Sequence, residues 1–152
     1  MKITVNGQQV EAYSLLMRKE FALEIITGKK KVEFRSFSDY YVSQFMDTEA
    51  IRRNKKSGFI AGDENAEEEF KAIEYIHFHN RNNSWFLDVK INDIGMFCVD
   101  TEDIDEYTQN EPAYPDFEEF RADAKEHDKL PPEERPMMFF LAIEKVVATN
   151  LR

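Results

Sequence analysis

The stretch Gly28-Lys29-Lys30-Lys31-Val32-Glu33-Phe34-Arg35 is where the chain changes its period. Before it, Phe21, Ala22, Ile25 and Ile26 fall at three- and four-residue intervals, which predicts a short amphipathic helix from Lys19. Gly28 stands where helices commonly end, because glycine adopts the left-handed conformation without steric cost. After it, Val32 and Phe34 alternate with Lys31, Glu33 and Arg35, so a strand here sends two apolar residues into the core and three charged ones to the opposite face. Such a cluster can hold an anion through lysine, grip a planar acceptor through the guanidinium fork and accept a hydrogen from a base or sugar through the carboxylate.

Outward from this stretch, the N-terminal side predicts a hairpin, with Ile3 and Val5 before an Asn6-Gly7 turn and Val10 after it. On the C-terminal side, Tyr41, Val42, Phe45 and Met46 form one apolar stripe, which predicts a helix over 39–53. Residues 54–69 carry the composition of an exposed connection, with room for a short acidic helix. Tyr75 to His79 and Trp85 to Ile91 alternate on either side of Asn80-Arg81-Asn82-Asn83-Ser84, the pattern of a β-hairpin. Met96–Val99 reads as a further short strand, Pro115–Lys129 as a helix closed by Pro131-Pro132, and Met137–Ala148 as a final strand. This order lacks the regular βα alternation of a doubly wound sheet. The expectation is one α+β domain over 1–152, built on a small mixed or antiparallel β-barrel with flanking helices.

The chain has 152 residues, enough for one such domain, and 20 aromatic residues argue against disorder. Its formal charge of −10 excludes nonspecific coating of duplex DNA, which depends on many phosphate-neutralising cations. The charge is uneven: residues 1–60 carry a net +4 and residues 61–152 a net −14. Acidic surroundings repel long polyanions and leave a compact ligand or a short exposed strand as the fitting partner. The single cysteine, Cys98, cannot form an intramolecular disulfide and lies between Phe97 and Val99, which fits a buried structural thiol in a reducing, cytoplasmic setting. No apolar stretch approaches the length that spans a bilayer, so no membrane partner is expected.

Phosphate-loop, dinucleotide-binding and nucleophile-elbow glycine motifs are all absent. His77 and His79 share one strand face, but the distant His127 and lone Cys98 complete no zinc spacing. The acidic run from Asp100 to Glu106 lacks the glycine and terminal glutamate of a calcium loop and reads as a solvated face. No metal and no cofactor is therefore expected.

Gly28, Lys30, Glu33 and Arg35 fit the Gly-x-Lys-x-x-Glu-x-Arg signature of ASCH domains, and the lead-in from Ser14 to Lys19 with the helix Phe21 to Thr27 resembles that family's strand and helix. The similarity is close over residues 13–37 and holds only in element type beyond them; residues 38–70 and 100–136 look like elaborations. The resemblance implies a PUA-like pseudo-barrel with a cleft lined by the signature, and a role near RNA or nucleotides. Lys30 would contact phosphate or a substrate carbonyl, Glu33 a base or sugar group, and Arg35 would brace Glu33 or bind an anion, with Gly28 permitting the exit from the helix. Tyr40 is the candidate for stacking on a base, the commonest device of single-strand recognition. Some ASCH members remove an acyl group from a modified cytidine with a Lys, a Thr and a Glu. Here Lys30 matches the lysine and Glu33 stands in the threonine position, so an amidohydrolase or ribonuclease-like reading, with Lys30 and Glu33 as its catalytic groups, is the alternative to a short-RNA, nucleotide or nucleoside binder. A third alternative is an acidic protein-interaction module.

Overall fold

The computed structural model describes residues 1–151. Asn6 and Gly7 both take positive φ, 50° and 77°, and turn β1 (Lys2–Val5) onto antiparallel β2 (Gln8–Glu11). This pair stands apart from a curled, five-stranded mixed sheet of half-barrel form, in the order β3 (Tyr13–Leu16), β5 (Tyr75–His79), β6 (Phe86–Cys98), β7 (Met137–Thr149), β4 (Val32–Ser36). Only β3 and β5 run parallel; the other neighbours are antiparallel. The two 13-residue strands, β6 and β7, slip register at Asp88/Val89, Lys90/Ile91 and Ile91/Asp93. Irregularities of this kind bend and twist a strand, which lets two long strands curl instead of lying flat.

Five helices flank the sheet: α1 (Lys19–Ile26), α2 (Asp39–Phe45), α3 (Thr48–Ser57), α4 (Thr101–Gln109) and α5 (Arg121–His127), the last preceded by a 3-10 turn over Pro115–Phe120. The α+β class and the barrel-like sheet with flanking helices agree with the sequence reading. Several elements differ from it. The single helix over 39–53 is two, because Met46 leaves the helix to bridge Phe70 and the Asp47 carboxylate caps a fresh helix through the amides of Glu49 and Ala50. α3 runs on to Ser57, and no acidic helix forms in the connection beyond it. The separate strand Met96–Val99 is the end of β6, and the helix Pro115–Lys129 begins as a 3-10 turn. The acidic run at 100–106 opens α4: Asp100 caps it through the amide of Asp103, and Ile104 is fully buried.

Apolar packing covers both faces of the β4–β7 edge. One cluster joins α1, α2 and the sheet through Ala22, Ile25, Phe45, Phe78, Phe139 and Leu141. On the opposite face, Val32, Phe97 and Phe140 pack against Ile104, Phe117 and Ala124 from the helical segment 100–136. β7 thus alternates Phe139 and Leu141 to one side with Phe140 to the other, the period a doubly covered strand requires. The consequence for β4 is direct. Val32 and Phe34 face the second cluster, as the alternation predicts, but Glu33 and Arg35 on the other side are covered as well. Of the charged row read as one face of a strand, Glu33 and Arg35 are internal, whereas Lys31 lies just before β4 and is exposed.

Candidate functional site

Gly28 ends α1 with φ +79°, and the amide of Lys30 returns to the Glu24 carbonyl at 3.0 Å. This tight exit carries Lys30 back beside the helix it has just left. Its Nζ lies 5.3 Å from the Phe21 ring and 5.5 Å from the Phe34 ring, and 3.4 Å from Glu33 Oε1. Glu33 is 5% exposed. Its Oε2 accepts from Arg35 Nη2 at 2.8 Å, and its Oε1 also accepts from the Phe34 amide at 3.2 Å. Arg35 in turn donates to the Leu16 carbonyl at 2.9 Å and to the Tyr41 hydroxyl at 2.8 Å. Burial acts to lower the Arg35 pKa, but the Glu33 carboxylate and the Tyr41 hydroxyl outweigh it and hold the guanidinium above its ordinary value. One carboxylate therefore sits between two cations, each mostly withdrawn from solvent, and the three signature side chains form one network.

Two cavities open on this network from either side of Phe21. The first, about 300 Å³, is lined by Phe21, Glu24, Lys29, Lys30, Pro115, Asp116 and Glu119. The second, about 200 Å³, is lined by Leu16, Met17, Arg18, Phe21, Glu33, Phe34 and Arg35. Both are small beside the span of an oligonucleotide; the first sits at the lower bound of small-molecule sites, about 300 Å³, and the second below it.

The wall of the first cavity comes from far along the chain. Asp116 Oδ2 accepts from the amides of Lys31 at 2.6 Å and Val32 at 2.8 Å, pinning the 3-10 turn to the start of β4. Three residues on, Glu119 reaches the same mouth. Its carboxyl is pushed above the ordinary value, first by partial burial and then by Asp116, Glu33 and Glu24, against the pull of Lys30.

The structure brings Lys30, Glu33 and Arg35 together and gives Gly28 its conformational role. Tyr40 stands elsewhere: it is 58% exposed, packs edge-on against Tyr41 at 5.0 Å and lines neither cavity. Sequence reasoning passed over Phe21 as a shared wall, Tyr41 as the hydroxyl on Arg35, and Asp116 and Glu119. Pro115-Asp116 was legible as a helix start, but nothing local tied it to a strand more than 80 residues away. Comparison of the chain with models of known protein families, with curated proteins and with solved structures finds no match.

Proposed function

We propose that the protein binds a single nucleoside or nucleotide unit, free or exposed in a short RNA strand, in the paired cavities around Lys30, Glu33 and Arg35. The observation that carries this reading is the partly buried Lys30–Glu33–Arg35 network facing two adjoining cavities with an aromatic side chain, Phe21, between them. Unlike surface charge pairs, a desolvated network of this kind holds its donors and acceptors in fixed directions. The Gly-x-Lys-x-x-Glu-x-Arg spacing, with its resemblance to ASCH domains and their PUA-like fold, supports the same class of ligand. A thermal-shift screen of nucleosides, nucleotides and short oligonucleotides should find a compound that raises the melting temperature, since a ligand of the native state stabilises it. Lys30→Ala, with its fold intact by circular dichroism, should lose that response; an undiminished response in the folded variant would place the site elsewhere.

A hydrolytic role is the second reading, favoured by one feature. Glu119, with its carboxyl raised, lines the first cavity together with the Lys30 ammonium, which sets a candidate general acid beside a cation at a ligand-sized space. Incubation with acylated nucleosides and short RNAs, followed by mass spectrometry, tests it. Product that appears with the wild type and disappears with Glu119→Gln supports catalysis, and absence of turnover at high enzyme concentration rejects it for those substrates.

A further inference from the structure

The first cavity is walled by charges of both signs, and their balance decides what can enter it. Pro115–Phe120 is a 3-10 turn, in which residues three apart eclipse one another. Phe117 and Phe120 therefore share the face that packs into the core, and Asp116 and Glu119 share the one that borders the cavity. Glu24 lines it from α1, together with Lys29 and Lys30 from the exit of that helix. Three carboxylates thus meet two ammonium groups. One of the two is already engaged, because Lys30 Nζ lies 3.4 Å from Glu33 Oε1 and both side chains are almost out of solvent.

The carboxylates also differ in their commitments. Asp116 is held by the amides of Lys31 and Val32. Glu118, outside the cavity, accepts two hydrogen bonds from Arg121. Glu119 accepts none and forms no ion pair among the described residues, although Lys30 is near enough to pull on its charge.

We propose that Glu119 is a specificity-determining residue of this site: it keeps phosphate away from Lys30 and leaves the first cavity to an uncharged base edge. The inference rests on the nucleoside or nucleotide reading above and says which part of such a ligand Lys30 meets. A lysine in a cleft ordinarily holds phosphate as a point charge. Here Glu33 matches that charge, so an arriving phosphate would face Glu24, Asp116 and Glu119 with only the exposed Lys29 to oppose them. A base edge carries donors and acceptors without net charge, so Lys30 can donate to its carbonyl or ring nitrogen while Glu119 accepts from its N–H. The surroundings of Glu119 show the same balance. Burial raises its carboxyl first, and Asp116, Glu33 and Glu24 add to this against Lys30, so the cavity already resists one negative charge. Selectivity here comes from what is repelled as much as from what is bound.

The test uses the full chain and calorimetry with cytidine, uridine, adenosine and guanosine, each against its monophosphate. The readout is the ratio of the two Kd values for one base, compared between proteins, which cancels whatever the phosphate gains elsewhere on the surface. Unit charges about 6 Å apart at an effective dielectric of about 40–80 repel by an amount worth about 3- to 10-fold in affinity. Glu119→Gln keeps the size and the acceptor, and should shift the ratio toward the monophosphate by about that factor. Glu118→Gln removes the same charge one residue away, on another face, and should leave the ratio within about twofold. Circular dichroism checks that both variants fold. An unchanged ratio in folded Glu119→Gln, whether both ligands weaken equally or neither does, or an equal shift in Glu118→Gln, would overturn the inference and leave the binding site in place. No binding of either ligand by the wild type would overturn the functional reading itself, and the inference with it.

Discussion

Substituting Glu33 by Gln removes one negative charge from between two cations and changes almost nothing else in size. The carboxylate accepts from Arg35 at 2.8 Å and lies 3.4 Å from the Lys30 ammonium, and the three side chains are only 7%, 11% and 12% exposed. At an effective dielectric near 20, unit charges 3.4 Å apart attract by about 5 kcal/mol, and breaking a buried pair by removing one partner typically costs about 3–5 kcal/mol. Compensation trims the loss: Arg35 keeps the Leu16 carbonyl and the Tyr41 hydroxyl, and Lys30 keeps its two aromatic faces. The expected destabilisation is therefore at the lower end, about 3 kcal/mol, equivalent to a fall in Tm of roughly 6–12 °C for a domain of this size. Urea denaturation followed by circular dichroism measures it, with the m-value checking that the same surface unfolds. Pairing Glu33→Gln with Lys30→Met should recover part of the loss, because the double variant no longer strands that cation. A loss below about 1 kcal/mol, the range of solvent-exposed pairs, would refute the view that the signature is a desolvated network.

Three further outcomes follow from other parts of the fold. Asp116→Ala leaves the amides of Lys31 and Val32 without their acceptor and should cost about 2 kcal/mol in denaturation, with faster hydrogen exchange at those two amides as its local mark. Gly95→Ala places a methyl group 2.7 Å from the buried Phe140 ring, which has no room to yield, so a loss of about 1–3 kcal/mol is expected in the same assay. The Cys98 thiol is pushed up to about 11 by burial and by the neighbouring Asp100. A raised pKa leaves less thiolate at pH 8 than an ordinary cysteine has, so alkylation by iodoacetamide should be slower than for a free thiol, and should climb only as the pH nears that value.

What was legible in the sequence was the local order, and what was not was the long-range covering. The Asn6-Gly7 turn, the α1–Gly28 exit and the alternation of β4 are decided by residues within a few positions of each other, and each stands in the structure as read. The break at Met46–Asp47 has a local signal that the reading of the apolar stripe from Tyr41 to Met46 did not use, the Asp47 cap. β6 reads as two strands because Asn92, Asp93 and Gly95 interrupt the alternation, whereas register shifts against β7 absorb the interruption and keep one strand. The site divides in the same way. Lys30, Glu33 and Arg35 are neighbours in sequence and in space, but the wall beside Lys30 comes from the 100–136 segment and the contacts of Arg35 from Leu16 and Tyr41, and the acidic composition of that segment suggests solvent more than packing. Ile104, Phe117 and Ala124 are the few side chains that commit it to the core, each fully buried.

The most direct test is amide NMR mapping of a nucleoside and nucleotide titration on the ¹⁵N-labelled protein. The proposed function expects saturable shifts concentrated in Leu16–Phe21, Gly28–Arg35 and Asp116–Phe120, the segments that wall the two cavities, and expects them to vanish in Lys30→Ala. Shifts centred on any other surface, or none at millimolar ligand across the panel, would contradict it.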